Sequence, residues 1–308
     1  MAKNASAQND GQARSAALAV GGACYLIWGV VPLAFQVMGK IGVGAWEILA
    51  HRTLWAVPTA LLFVLLARQT GDLARVLRDR RTLGWLALSA GVIAVNWLVF
   101  IWAVNNGRVL ETSLGYFINP LMAMAAGAVI FRERLDGVGK GAIGLAGLGV
   151  AIQAIALGRL PVVSLTLATS FCIYGIIRKR VAAEAQTGLL VECLILALPG
   201  VLLIGWLESR GEGHFTAGLA PALWLLACGP MTALPLMMFS WSARRIPFSA
   251  MGFLQFIAPS MTFVMGVAQG EPFTFLRGVS FAFIWGGAAV FALGAWRRSR
   301  MLAAQSAA

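Results

Sequence analysis

Residues 83–131 read LGWLALSAGVIAVNWLVFIWAVNNGRVLETSLGYFINPLMAMAAGAVIF, and the charged residues among them are Arg108 and Glu111. Both sit in a short polar break between two apolar runs. Each run holds roughly 20 residues, which at a rise of about 1.5 Å per residue is enough to cross about 30 Å of hydrocarbon. Neither run alternates apolar and polar residues. Lipid offers the backbone no hydrogen-bond partner, so a continuous apolar run implies a helix rather than a barrel strand.

Working outward, the same pattern recurs and predicts ten spans: 16–38, 46–67, 83–104, 113–131, 139–157, 161–177, 188–207, 219–242, 249–269 and 275–296. The composition agrees, since the 308 residues are 59% hydrophobic and only 12% charged. That is far from the composition of a soluble domain.

The net charge of +12 raises the question of nucleic acid, but no basic domain exists to hold such a site. The charge is distributed by loop instead. With the amino terminus in the cytoplasm, inner segments hold Lys3 and Arg14; Arg68, Arg75, Arg78, Arg80 and Arg81; Arg132, Arg134 and Lys140; Arg178, Lys179 and Arg180; Arg244 and Arg245; and Arg297, Arg298 and Arg300. Outer segments hold Lys40, Arg108, Arg159, Arg210 and Arg277. This excess of inner basic residues is the positive-inside pattern of an even number of spans with both termini cytoplasmic. Residues 1–15 form a polar cytoplasmic amino terminus, and 297–308 a cytoplasmic tail. The apolar run beginning at residue 16 is too long for a signal-peptide core and is read as a retained span. Cys24, Cys172, Cys193 and Cys228 all fall inside spans without metal-ligand or CxxC spacing, and are read as packing residues.

The chain also repeats itself. Phe100, Trp102, Phe117, Ile118 and Pro120 recur, at one constant offset, as Phe239, Trp241, Phe256, Ile257 and Pro259. Beyond each proline stands a glutamate, Glu133 and Glu271, with one residue missing from the second copy. Ile27-Trp28-Gly29 matches Ile173-Tyr174-Gly175, and Glu47 matches Glu192. Residues 16–157 and 161–296 thus form two five-span repeats. An odd number of spans forces the second to enter from the opposite side, so the repeats are inverted, a plan of secondary transporters with a midplane site between the halves. The expected fold is an all-α integral membrane protein of ten transmembrane helices in two inverted five-helix repeats.

These features resemble the EamA family of the drug/metabolite transporter superfamily over essentially the whole chain. The family cues are the paired repeats and Pro120 followed by FRERL at 131–135. EILAHR at 47–52, NWLVFIWAVNN at 96–106, SLGYFINP at 113–120 and EAQTG at 184–188 resemble its RarD subgroup. The resemblance implies a membrane permease. Members of the subgroup are named as chloramphenicol-sensitivity or permease proteins, which points to small organic solutes, amphenicols among them.

An ionisable group in the bilayer costs roughly 2.5–3.5 kcal/mol on insertion scales and is therefore a functional candidate. Glu47 and His51, four residues apart, share a helix face, and Arg52 lies about 100° round from His51. They form an expected polar cluster near the outer end of the second span: Glu47 would bind a proton or a cationic group, with Arg52 ordering the cluster or holding an anion. The plainer account is an interfacial ion pair that pins the helix. Glu192 would be the second gate near the inner face, against the alternative that it snorkels to the interface.

Asn96, Trp97, Trp102, Tyr116 and Asn119, with Pro120, concentrate polar groups among aromatic rings. Trp28, Tyr174, Trp241 and Gln255 occupy related places in other spans. Such a lining suits amphipathic or aromatic solutes, cations included. Pro120 would open its helix there. Helix packing accounts for each residue taken singly. Trp46, Trp85, Trp206, Trp224 and Trp296, near span ends, read as an interfacial belt. Gly137, Gly141, Gly144, Gly147 and Gly149 suggest close helix contact, within the fold or between the protomers of a homodimer. Glu133, flanked by Arg132 and Arg134, reads as a salt bridge or helix cap.

The leading expectation is a secondary transporter of a small-molecule substrate, embedded in the bilayer of the bacterial inner membrane, using no cofactor or metal and no nucleic acid. A Walker sequence for ATP is missing, as are HExxH, GxSxG and a paired aspartate within the spans, so an enzyme is disfavoured. A channel or a non-transporting scaffold stays open as the alternative, because an inverted repeat can also enclose a pore.

Overall fold

The computed structural model describes residues 2–130, 137–158, 160–243, 245 and 254–305. Among these lie eleven helices: α1 (Ala2–Lys40), α2 (Ala45–Leu66), α3 (Thr70–Arg78), α4 (Arg80–Asn105), α5 (Val109–Ile130), α6 (Gly137–Leu157), α7 (Val162–Arg180), α8 (Ala185–Ser209), α9 (Leu219–Ala243), α10 (Ile257–Ala268) and α11 (Phe275–Gln305). A helix lies over each of the ten apolar stretches. Six are long and apolar enough to cross a membrane on length and composition alone, within α1, α2, α4, α6, α8 and α9. Large apolar side chains stand exposed along them, among them Leu62, Leu66, Leu198 and Leu202, as helices solvated by lipid require.

Several boundaries differ from expectation. Helix α1 begins at Ala2, inside the stretch read as a polar tail, and α11 continues past residue 296 to Gln305. Helix α10 begins at Ile257, whereas the ninth span was expected from 249; residues 249–253 lie outside the described residues. So do Glu133 and its neighbours Arg132 and Arg134, together with Arg159 and Arg244. Helix α5 runs unbroken through position 120, so the opening expected at Pro120 does not occur.

Helix α3 was not anticipated. It is a single amphipathic piece in which Val76 is fully buried, Leu73 is partly buried and Arg75 and Arg78 close the last turn. Asp79 then starts α4 by accepting from the Arg81 amide at 3.0 Å, the geometry of an N-cap.

The chain divides into two compact units: one of Met1–Gly29, Val109–Thr169 and Met238–Ala308, the other of Val30–Arg108 and Ser170–Met237. In the second unit α2 packs most extensively on α8, and α4 packs on both. Ala56, Ala60 and Val64 of α2 meet Leu189, Leu190 and Cys193 of α8 in its core. Two glycines let backbones approach: a Cβ at Gly200 would stand 3.3 Å from the Ala50 carbonyl, and one at Gly229 would run into the Trp55 carbonyl. Small residues at such crossings replace the hydrophobic drive that lipid removes.

In the first unit α6 packs along α11, and α5 packs on α10, α11 and α6. Ser280 donates to the Gly149 carbonyl at 2.8 Å, and Gly287 lies against the Ala142 carbonyl. The glycines of α6 therefore separate by face. Gly149 makes the close contact, while Gly137, Gly141, Gly144 and Gly147 have no described atom within 4 Å of where a Cβ would stand. Glu271 accepts from the Val109 amide and, at 3.0 Å, from the Leu110 amide, capping α5. Cys24, Cys193 and Cys228 are buried and Cys172 is partly so; none of the four forms a disulfide among the described residues.

Candidate functional site

The second unit contains Glu47, His51, Arg52, Asn96, Trp97, Trp102, Tyr174 and Glu192. Tyr116, Asn119, Trp28, Trp241 and Gln255 belong to the first. The lining expected to be shared by neighbouring spans is thus divided, although only a short turn joins α4 to α5.

Glu47 lies in the first turn of α2 and is 4% exposed. Its carboxylate accepts from the His214 backbone amide at 2.7 Å and meets His214 Nδ1 at 2.8 Å. His214 belongs to the loop between α8 and α9. Glu208 folds that loop by accepting from the amides of Phe215 at 3.1 Å and Thr216 at 3.3 Å. Gly42, at φ +95°, makes room for the imidazole: a Cβ there would stand 3.0 Å from His214 Nε2.

His51 and Arg52 also engage partners outside the expected three-residue cluster. His51 stacks on Phe215 with centroids 5.1 Å apart, and its Nδ1 accepts from Trp55 Nε1 at 3.0 Å. That bond assigns the proton of a neutral imidazole to Nε2, which has no hydrogen-bond partner among the described residues. Arg52 is 8% exposed; its Nε donates to Thr232 Oγ1 at 2.8 Å and its guanidinium lies 4.2 Å from the Trp97 ring centroid. Helical spacing places Glu47 and His51 on one face, but loop and helix neighbours decide where each side chain points.

Glu192 is 2% exposed, so it does not snorkel to an interface. Ser89 of α4 donates to it at 2.6 Å and the Tyr174 hydroxyl of α7 at 3.3 Å. Arg178, also of α7, approaches to 3.7 Å. The same guanidinium reaches the carbonyls of Glu184 and Ala185 at 3.4 and 3.3 Å, where α8 begins. Helix α8 carries no basic residue of its own, and the basic group arrives from the preceding helix. Asn96 is buried and donates to Ser170 at 2.9 Å.

Trp102 is 41% exposed, with the Arg108 guanidinium 5.3 Å from its ring centroid. Together with Trp46, Ala45, Leu98 and Val99 it walls an apolar groove of ≈ 280 Å³. In the first unit Trp28 meets Tyr25 edge-on at 5.3 Å and Phe239 at 6.1 Å, and Arg245 lies 4.2 Å over Trp241. Asn119 is buried with its Oδ1 unbonded among the described residues, and Tyr116 and Gln255 are half-buried.

Sequence reasoning missed His214 and Arg178 as partners of the two glutamates. The available signal was weak: His214 is one of only two histidines, and Arg178 ends the helix before the one carrying Glu192.

Residues 15–155 match the EamA-like transporter family. A protein named RarD from Streptomyces exfoliatus is 40% identical over 92% of this chain and 90% of its own length. The chain belongs to the EamA family, in its RarD subgroup. An uncharacterized transporter of Vibrio cholerae is 36% identical over 87% of this chain and 89% of its own. A solved crystal structure shares the fold with a TM-score of 0.61 at 20% identity, covering 92% of this chain and 98% of that one. As a RarD-subgroup member of the EamA family, the chain is a multi-pass transporter of the bacterial inner membrane and not an enzyme.

Proposed function

We propose that this chain is a secondary transporter of small organic solutes that works by alternating access, with ten transmembrane helices in two inverted halves and both termini in the cytoplasm. The basic loops support that orientation. The helix pairing supports the repeat, because α2 packs on α8, α6 on α11 and α5 on α10, each pair joining corresponding spans of the two halves.

The observation that carries the mechanism is that the repeat-related glutamates Glu47 and Glu192 are both buried and both paired with a basic side chain, His214 and Arg178. In the proposed topology Glu47 falls near the outer face and Glu192 near the inner one. Each pair ties a loop or helix end to the packed α2–α8 core. Protonating a glutamate releases its partner and loosens that end, so proton exchange biases which side opens. The cargo is an amphipathic or aromatic metabolite or drug, amphenicols included, supported by the aromatic rings beside buried amides and by the resemblance of the chain.

The test is reconstitution into liposomes with an imposed pH gradient, followed by uptake and counterflow of aromatic amino acids, an amphenicol and small organic cations. Saturable, gradient-dependent flux that falls in Glu47→Gln and Glu192→Gln supports a proton-linked carrier. Non-saturable flux without counterflow supports a channel instead.

A further inference from the structure

The connection from α2 to α4 carries five arginines against two aspartates between Ala67 and Thr82. Both aspartates are engaged within the protein. Asp72 pairs with Arg75 and accepts from the Glu184 amide at 2.9 Å, and Asp79 accepts from the Arg81 amide at 3.0 Å and from Thr82 Oγ1 at 2.5 Å. Arg75 donates in addition to the Ala182 carbonyl at 2.8 Å. Arg68, Arg78, Arg80 and Arg81 are exposed, and none of these four side chains meets a partner among the described residues. Arg68 is also strained. It is the one residue other than glycine with a positive φ among the described residues, at 54°. It stands just past α2 in a Schellman turn, its amide donating to the Leu65 carbonyl at 3.0 Å and the Gln69 amide to the Val64 carbonyl at 2.9 Å. That position favours glycine, because a Cβ there crowds the backbone. An arginine kept where glycine fits better points to a use for its guanidinium.

We infer that this corner of the second unit binds anionic phospholipid of the cytoplasmic leaflet, with phosphate held by the arginines and an acyl chain laid along α4. In the orientation proposed above, α4 enters the bilayer here. Arg81, Trp85 and Leu88 are all exposed and, at spacings of four and three, share one face of the helix. A rise of about 1.5 Å per residue puts Trp85 about 6 Å and Leu88 about 10 Å deeper than Arg81. Charge, amphipathic ring and aliphatic chain thus follow one another as they do in a lipid from headgroup to tail. A guanidinium offers phosphate two parallel donors and keeps its charge at every physiological pH. Helix α3 reaches the start of α8 through Asp72 and Arg75, so lipid held at its two ends braces the helix that carries Glu192. Basic inner loops orient a membrane protein without binding any particular lipid. That role leaves the strained Arg68 and the exposed face of α4 unexplained.

The experiment is native mass spectrometry of the full chain in detergent, titrated with dioleoyl phosphatidylglycerol or with dioleoyl phosphatidylcholine, which carries the same acyl chains. Melting temperatures are measured in parallel. Wild type should retain the phosphatidylglycerol at about tenfold lower concentration and melt higher in its presence. Arg68→Gly should melt at or above wild type without lipid, because the strain is gone, yet lose about fivefold in apparent affinity for phosphatidylglycerol. Arg78→Gln, Arg80→Gln and Arg81→Gln combined should lose about tenfold or more, with phosphatidylcholine unaffected. Inner arginines also direct insertion. If the triple variant does not reach the membrane, Arg68→Gly decides alone. Equal retention of the two lipids, an unchanged preference in Arg68→Gly, or a lower lipid-free melting temperature in that variant overturns the inference. Displacement of the lipid by glycerol 3-phosphate at comparable concentration overturns it too, and assigns the arginines to a soluble phosphate. Binding is read without flux, so no outcome depends on the transporter function proposed above.

Discussion

Glu47 holds His214 twice, through the backbone amide at 2.7 Å and ring Nδ1 at 2.8 Å, across a sequence separation of 167 residues. The two bonds fix both the path of the loop and the rotation of the imidazole. A carboxylate buried this deeply is tolerated because both oxygens are engaged. Glu47→Ala should destabilise the purified protein by about 2 kcal/mol, the scale of hydrogen bonds to a charged group, seen as a lower melting temperature in detergent. His214→Ala should cost less, because the amide bond to Glu47 survives the change. Equal losses in the two variants would mean that the ring, not the backbone, carries the contact.

Gly188 is where α8 leaves space for Arg178. A Cβ at this position would overlap the guanidinium. Gly188→Ala should therefore displace Arg178 from Glu192 and from the carbonyls of Glu184 and Ala185, while leaving the helix content unchanged. If Glu192 is the inner proton site, the pH dependence of flux in this variant should shift in the direction seen in Arg178→Gln. An unchanged profile in both would show that Arg178 only anchors the start of α8.

The helices over the ten apolar stretches were legible because each stretch is a continuous apolar run, whereas the packing of α2 on α8 was not foretold. What hydropathy could not supply was contact across helices. His214 and Arg178 answer buried glutamates from segments whose own composition is ordinary. Likewise, Asn96 and Asn119 stand close in sequence yet fall in different compact units, since the division comes between Arg108 and Val109. Helix α3 was lost for a different reason: its nine residues vanish in a window of membrane length, although Leu73 and Val76 at helical spacing, with Asp72 in the first turn and Arg75 and Arg78 in the last, carry the pattern of a short surface helix.

That helix offers a pH test outside the spans. Burial raises the pKa of Asp72, but the Glu184 amide at 2.9 Å, Arg75 and Thr187 more than offset it and hold the carboxyl below its ordinary value. A depressed folded-state pKa contributes stability that is present above the unfolded value of about 3.9 and is lost as pH falls through the folded value. Asp72→Asn should therefore be less stable than wild type at neutral pH, and the difference should shrink below about pH 4. Melting curves from pH 7 to pH 3 measure it. A gap between the two proteins that stays constant with pH would mean that the ionised form of Asp72 contributes nothing to the contact between α3 and α8.

Glu271 makes the last prediction. Its oxygens take the amides of Val109 and Leu110, two of the donors left unsatisfied where a helix begins, and its charge complements the positive end of the α5 dipole. Removing the cap with Glu271→Ala should cost about 1 kcal/mol, while Glu271→Gln, which keeps an acceptor but not the charge, should recover part of it. The same pair separates a structural role from a transport role. A cap that only starts α5 lowers the melting temperature in the order alanine, glutamine, wild type and leaves the pH profile of flux where it was. A profile that moves in Glu271→Gln at nearly full stability would instead place this glutamate among the proton-carrying groups.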